Sequence, residues 1–105
     1  MSGKFQDFEE FWPFYVRQHR LEGTRQLHFL GTTLGLVCAA QGHPLDALIV
    51  AYGFAWISHF FVEKNRPATF TFPWQSFRAD FRMYRLMLEG KMAAEVRRLG
   101  LDPTL

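Results

Sequence analysis

Hydrophobic positions fall into three regimes along the chain. In residues 5–21, Phe5, Phe8, Phe11, Trp12, Tyr15 and Val16 recur at three- and four-residue steps, the apolar stripe of an amphipathic helix. Pro13 lies within that stripe, so the helix either begins near Trp12 or bends there. Gly23 closes the segment, and Thr24 is placed to cap the next one. Residues 27–40 (LHFLGTTLGLVCAA) and 47–62 (ALIVAYGFAWISHFFV) then carry no formal charge, with the turn sequence QGHPLD between them. Helices apolar on every side are buried in a core or lie in a membrane. Each stretch is shorter than the ~20 residues that cross ~30 Å of hydrocarbon. Gly31, Gly35 and Gly53 would let two such helices approach closely. Pro67 is expected to stop the second helix, leaving EKNRPATFTFP as a loop. A last helix is expected from near Trp74 or Ser76 to about Leu99, with Phe77, Phe81, Tyr84 and Leu88 on one stripe and Arg78, Arg82, Arg85 and Lys91 off it.

The pattern predicts an all-α chain: a small four-helix protein with a central apolar helical hairpin and amphipathic flanking helices. With 105 residues, the expectation is one domain over 1–105. A hydrophobic share of 49% against 21% charged excludes a disordered chain. The single cysteine, Cys38, excludes an internally disulfide-stapled scaffold. A net charge of +2 is too weak to argue for nucleic acid. The opening MSGKFQDFEEFW mixes acids with aromatics and does not read as a secretory signal.

Charge placement bears on the hairpin. Arg17, Arg20 and Arg25 precede the first apolar stretch, Lys64 and Arg66 follow the second, and the turn between has neither Lys nor Arg. A membrane hairpin would therefore keep both termini in the cytoplasm, in the inner membrane if the source is bacterial. The alternative is a soluble bundle that buries both central helices. The basic last helix suits either an anionic lipid surface or a solvated face. Phe70, Phe72 and Trp74 before it would suit an interfacial aromatic belt. Membrane lipid is thus an expected partner, and self-association through the glycine faces is open.

Of four histidines, His28 and His59 lie about 15 residues on either side of the turn, so an antiparallel hairpin brings them to one level. His19, at the end of the first helix, falls at the same end, whereas His43 lies in the turn at the other. Glu63 follows His59 by four residues and would share its helix face. Three imidazoles and a carboxylate suit Fe(II), Zn or Mn, and two His with one carboxylate leave positions open on non-haem iron. The competing reading is a pair of histidines hydrogen-bonded inside a packed helix pair.

The stretches FYVRQHRLEGTRQLHFLGT, ISHFFVEKNRPATF and WQSFRADFRMY resemble the family called domain of unknown function 962. The likeness spans about residues 11–87, and Tyr15, His19, His28 and the run HFFVEKNRP are its most specific parts. The characterised member is a fungal endoplasmic-reticulum 2-hydroxy fatty acid dioxygenase of α-oxidation. The resemblance implies a membrane-embedded, Fe(II)-dependent oxidoreductase of lipid metabolism. It would use O2 to decarboxylate a 2-hydroxy fatty acid to the acid one carbon shorter. It also implies that His19, His28 and His59 are the essential histidines, and it matches Glu63, Asn65, Pro67 and Asp80. Glu63 is then a candidate metal ligand or catalytic carboxylate, and Asp80 a catalytic group or one that orients a histidine. Arg66, Arg78 and Asn65 are candidates for substrate binding. The fungal enzyme has more apolar sequence between the two blocks, so the resemblance leaves acyl length open. Two other classes remain: a non-catalytic membrane interaction module, and a soluble bundle holding haem or another metal.

Overall fold

The computed structural model describes residues 5–102. Helices α1 (Phe8–Arg17), α2 (Glu22–Ala40) and α3 (Pro44–Ile57) come first; α3 runs on through a π-helical turn, Ser58–Glu63. A short 3-10 turn, Ala68–Phe70, leads to α4 (Pro73–Leu88) and α5 (Met92–Arg98). The all-α architecture with a central apolar hairpin is the one the pattern predicts.

Several boundaries differ from expectation, each for a local reason. α1 begins ahead of the proline, at Phe8, because Asp7 caps it: its carboxylate accepts from Glu10 N at 2.9 Å. Pro13 then sits inside the helix. Thr24 is no cap; it lies in the first turn of α2, and its hydroxyl donates to Glu63 Oε1 at 2.7 Å. The second apolar helix stops at Glu63, ahead of Pro67. Lys64 adopts a left-handed conformation (φ 62°), and Asn65 N closes back on His59 O at 2.9 Å. The expected last helix is divided. Gly90 takes φ 69°, and Lys91 N bonds Leu86 O at 2.8 Å, a glycine-ended stop that lets α5 fold back.

One core is built from the flanking elements. Phe11, Trp12, Tyr15 and Val16 of α1 pack against Ala79 and Met83 of α4 and Met92 and Val96 of α5, with Ala68 and Phe72 closing the end. The buried face of α4 is thus Ser76, Ala79 and Met83. The aromatic stripe expected to be its apolar face points elsewhere, with Phe77, Phe81 and Leu88 exposed. In the proposed aromatic belt, Phe70 and Trp74 are exposed while Phe72 joins the core.

The hairpin is built differently. α2 and α3 pack along each other. A Cβ on Gly31 would stand 2.5 Å from Phe54 Cβ, and one on Gly35 would stand 2.9 Å from Ala47 O. Glycine is what permits that approach. Gly53 is not part of it, since a Cβ there meets nothing within 4 Å. Among the described residues one helix, Pro44–Glu63, is long and apolar enough to cross a membrane, and only 17% of its most apolar window is buried. The π-helical continuation gives it 20 residues, more than the uncharged stretch alone suggested.

Candidate metal centre

Three elements meet where α1 ends, α2 begins and α3 passes into its π-helical turn. His19 follows α1 in a turn pinned by Arg25, whose guanidinium donates to His19 O at 2.9 Å and Arg20 O at 2.7 Å. His28 lies in the second turn of α2, and His59 is the second residue of the π-helical stretch. All three are buried. Their Nε2 atoms form a small triangle: His19 to His28 3.0 Å, His19 to His59 3.0 Å, His28 to His59 3.3 Å. The hairpin register expected from spacing is therefore observed, and His43, exposed at the turn against Asp46, is not in the group.

Protons alone do not satisfy this triangle. His19 Nδ1 lies 2.8 Å from Tyr15 O, an acceptor, so that nitrogen carries the hydrogen. His59 Nδ1 lies 2.7 Å from Asn65 Oδ1, and Asn65 Nδ2 donates to Gln18 O (3.0 Å) and Gln18 Oε1 (3.1 Å), which fixes the amide's orientation. In the neutral rings both Nε2 atoms then present lone pairs to each other at 3.0 Å. A proton on His28 Nε2 serves one of them at a time. Burial, and then the neighbouring His28 and His59, hold the His19 pKa well below its ordinary value, so charging that ring is disfavoured. A shared cation would remove the conflict. Nitrogens ~2.0–2.1 Å from one ion stand ~2.9 Å apart at right angles and ~3.3 Å apart at tetrahedral angles, which brackets the observed spacing. The outer nitrogens of His19 and His59 are held as ligand histidines usually are.

The carboxylates divide. Glu63 is buried but engaged elsewhere: Oε1 accepts from Leu21 N (3.1 Å) and Thr24 Oγ1 (2.7 Å), and Oε2 faces Arg20 Nε at 3.6 Å. It closes the N-terminus of α2 from across the hairpin, where unpaired N–H groups favour a carboxylate. The structure groups His19, His28 and His59 without it. The reason is the π-helical turn, whose wider winding shifts a residue four positions on from the face an α-helix would give it. Asp80 does reach the site. Its Oδ1 accepts from Tyr15 Oη at 2.6 Å and lies 4.0 Å from His28 Nδ1. Burial pushes its carboxyl up to about 7, with the Tyr15 hydroxyl acting in the opposite direction. The same burial, then Asp80, raises Tyr15 well above the usual phenol range and keeps it a donor.

The three substrate candidates fall apart in space. Asn65 holds His59. Arg66 is exposed and lies over the Phe70 ring, 5.2 Å from its centre. Arg78 is exposed over Phe8 at 4.3 Å, on the outer side of α4. Ser76, Tyr52 and Gln18 also belong to the site, and sequence spacing did not single them out. Ser76 and Tyr52 line the recess beside the histidines, and Ser76 Oγ is buried without a protein hydrogen-bond partner. Ser76 precedes Asp80 by four residues on α4, a signal that was readable once Asp80 was suspected.

A family model described as 2-hydroxy-palmitic acid dioxygenase Mpo1-like matches residues 5–92. No curated protein and no solved structure matches the chain.

Proposed function

Because the chain belongs to the 2-hydroxy-palmitic acid dioxygenase Mpo1-like family, we propose that it is an Fe(II)-dependent dioxygenase that shortens 2-hydroxy fatty acids by one carbon. The observation that supports this most directly is the triangle of His19, His28 and His59 Nε2 atoms, which proton placement alone leaves unsatisfied. The overall reaction balances as one 2-hydroxy acid and one O2 giving the shorter acid, CO2 and water. C1 leaves as CO2 and C2 becomes the new carboxyl. Bound Fe(II) would supply the one-electron chemistry that lets O2 react with a closed-shell acid.

The chain's own residues do the rest. His19, His28 and His59 would hold the metal through their Nε2 atoms. Tyr15 O and Asn65 Oδ1 keep His19 and His59 in the tautomer that presents Nε2. Asp80, with its carboxyl near 7 and Tyr15 Oη on Oδ1, is placed to hold or take the proton of a 2-hydroxyl group. Ser76 Oγ, unpartnered in the same recess, is available to a substrate oxygen. Residues 1–105 act as one unit in this reading.

The helix Pro44–Glu63 crosses or enters the bilayer with α2 beside it, both termini cytoplasmic, following Arg17, Arg20, Arg25, Lys64 and Arg66. A reporter active only outside the cytoplasm, fused to the C-terminus, should stay silent; a strong signal reverses the orientation. For the chemistry, the protein is purified anaerobically, loaded with Fe(II) and given a 2-hydroxy fatty acid and O2. Stoichiometric O2 uptake with the shortened acid by mass spectrometry is expected. Iron-loaded protein that consumes no O2 with any 2-hydroxy acid sinks the reading.

A further inference from the structure

A groove of about 330 Å³ opens from the histidine site along the hairpin, at the small end of the range for ligand sites. Its lining is periodic. α2 contributes His28, Thr32, Gly35, Leu36 and Ala39, one helical stripe. α3 contributes Pro44, Ala47, Ala51 and Ala55 on a facing stripe, and α4 closes the side with Phe77 and Phe81. The floor is made of small residues and the lips of large ones, with Leu36, Leu48, Phe77 and Phe81 exposed along the opening. The polar groups gather at one end: His28 and Asp80 line both this groove and the recess of the metal centre. This explains why the aromatic stripe of α4 points away from the core: it walls the groove.

Resting on the proposed reaction for the head group, we infer that this groove seats the alkyl tail of the 2-hydroxy acid and measures it, with Ala39 and Pro44 at its far end. An extended saturated chain is the occupant that a narrow apolar channel leading away from a polar head-group site fits. The length follows from the lining. His28 to Ala39 spans 11 residues, ~16 Å at ~1.5 Å per residue. An all-trans chain advances ~1.25 Å per carbon for C–C bonds of ~1.5 Å, so about a dozen methylenes fit beyond the head group. Acids of roughly fourteen carbons fill the groove, and longer ones emerge past the turn. The half-open side lets the tail enter sideways from lipid rather than thread through an end.

The test follows the end of the tail. Protein in lipid nanodiscs is loaded with zinc, which takes imidazole ligands without redox chemistry. It is photolabelled with 2-hydroxy acids of roughly eight to eighteen carbons bearing a diazirine at the last carbon, and labelled residues are mapped by mass spectrometry. Short acids should label near Thr32 and Ala51, and those near fourteen carbons near Ala39 and Pro44. The iron enzyme should show kcat/KM rising with length to about the same point and then flattening. Ala39→Phe fills the last turn, ~5.4 Å or about four carbons, and should move that point shorter by the same amount. Val37→Phe, outside the groove and exposed, should leave it where it is. Labels scattered over the outward residues irrespective of tail length would overturn the groove. So would a length profile unmoved by Ala39→Phe. Ordered labels without O2 uptake keep the groove and discard the dioxygenase. O2 uptake with scattered labels keeps the dioxygenase and discards the groove.

Discussion

The two halves of this small chain are built on opposite rules. In the flanking half, α1, α4 and α5 bury Phe11, Trp12, Val16, Met83 and Val96 and turn Glu9, Arg82 and Arg98 outward, as a water-soluble core does, with the exposed Trp74, Phe77, Phe81 and Leu88 of α4 as the exception. In the hairpin half the buried residues are Thr24, Arg25, His28, Gly31, Gly35, Ala55, Ser58, His59 and Glu63, small or polar throughout. Leu34, Val37, Leu45, Ile49, Ile57 and Phe61 face outward. An interior of polar and small residues with a greasy exterior fits the membrane setting proposed for this helix pair, because hydrocarbon outside would remove any gain from burying Leu inside. The histidine centre sits on the seam. His19 is delivered by the water-type half, and His28 and His59 by the inverted one. The lesson is that the triangle needs both halves docked, so anything that loosens the seam should pull His19 away from His28 and His59 before either half melts, and with it the proposed metal site.

The largest expected effect is on the seam. His19→Ala, His28→Ala and His59→Ala should each remove bound iron and turnover essentially completely, as measured by metal analysis after anaerobic loading and by O2 uptake. His43→Ala is the internal comparison. The turn lies ~20 Å away along the helices, so it should match the unmodified chain. Equal damage from His43→Ala would mean that the histidines act through the fold rather than as ligands.

Next comes the contrast between interiors. Phe11 is fully buried in the water-type half, and Phe11→Ala should cost ~3–5 kcal/mol. Ile49, 69% exposed on the inverted half, should cost within ~0.5 kcal/mol on Ile49→Ala in detergent. Comparable losses at both sites in chemical denaturation would show that Ile49 is buried by a protein partner, and that the outward apolar face is an interface rather than a lipid surface. The glycines sharpen the same contrast. Gly35→Leu forces a side chain into Ala47 O and should cost ~1–3 kcal/mol. Gly53→Leu enters open space and should be far milder.

How much of this was legible in the sequence differs between the halves for physical reasons. The hairpin was readable because two uncharged runs and a short turn leave one antiparallel register, and that register alone brings His28 to His59 and isolates His43. The role of Glu63 was not readable. Four-residue spacing assumes an α-helix, and the π-helical winding of Ser58–Glu63 turns the carboxylate toward the N-terminus of α2. Nor was the buried face of α4. Its Phe77–Phe81–Tyr84–Leu88 stripe is the more apolar, yet Ser76, Ala79 and Met83 are the side that fits under α1. Two small residues and a methionine won the core, and the aromatic ones went to the groove and the outside. The division of the last helix hangs on Gly90, a helix-interior glycine by pattern and a stop by conformation.

A smaller effect separates a ligand from the residue that orients it. Asn65→Ala removes the acceptor from His59 Nδ1 and leaves all three Nε2 donors of the histidine triangle in place. It should weaken iron binding or activity ~10–100-fold rather than abolish either. Asn65→Asp keeps the acceptor for His59 but sets a carboxylate oxygen against Gln18 O where Nδ2 donated, so it should recover only part of the loss. If Asn65→Ala matched His59→Ala in metal content, the distinction between holding the ring and holding the ion would fail at this position.

The mildest expected effect tests whether electrostatics belong to one half alone. Glu95 on α5 takes Trp12 Nε1 on Oε2 at 2.6 Å and the Arg98 guanidinium on both oxygens, at 2.9 and 2.6 Å. Those bonds, Arg98's first, hold its carboxyl down to about 2. A carboxylate whose folded pKa is depressed contributes stability above its ordinary value of 4.5, and that contribution drains away as pH falls toward 2. The full shift would convert to ~3 kcal/mol, but Arg98 is 62% exposed and screened by water, so ~1 kcal/mol is the reasonable share. Glu95→Gln should therefore lower stability by ~1 kcal/mol at neutral pH and flatten the acid slope between about pH 4.5 and 2. The loss should appear in the near-ultraviolet signal of Trp12 and in amide exchange of α1 and α5, with exchange in α2 and α3 unchanged. Matching loosening of the hairpin would mean that the two halves unfold as one unit, and that the seam is stronger than either interior.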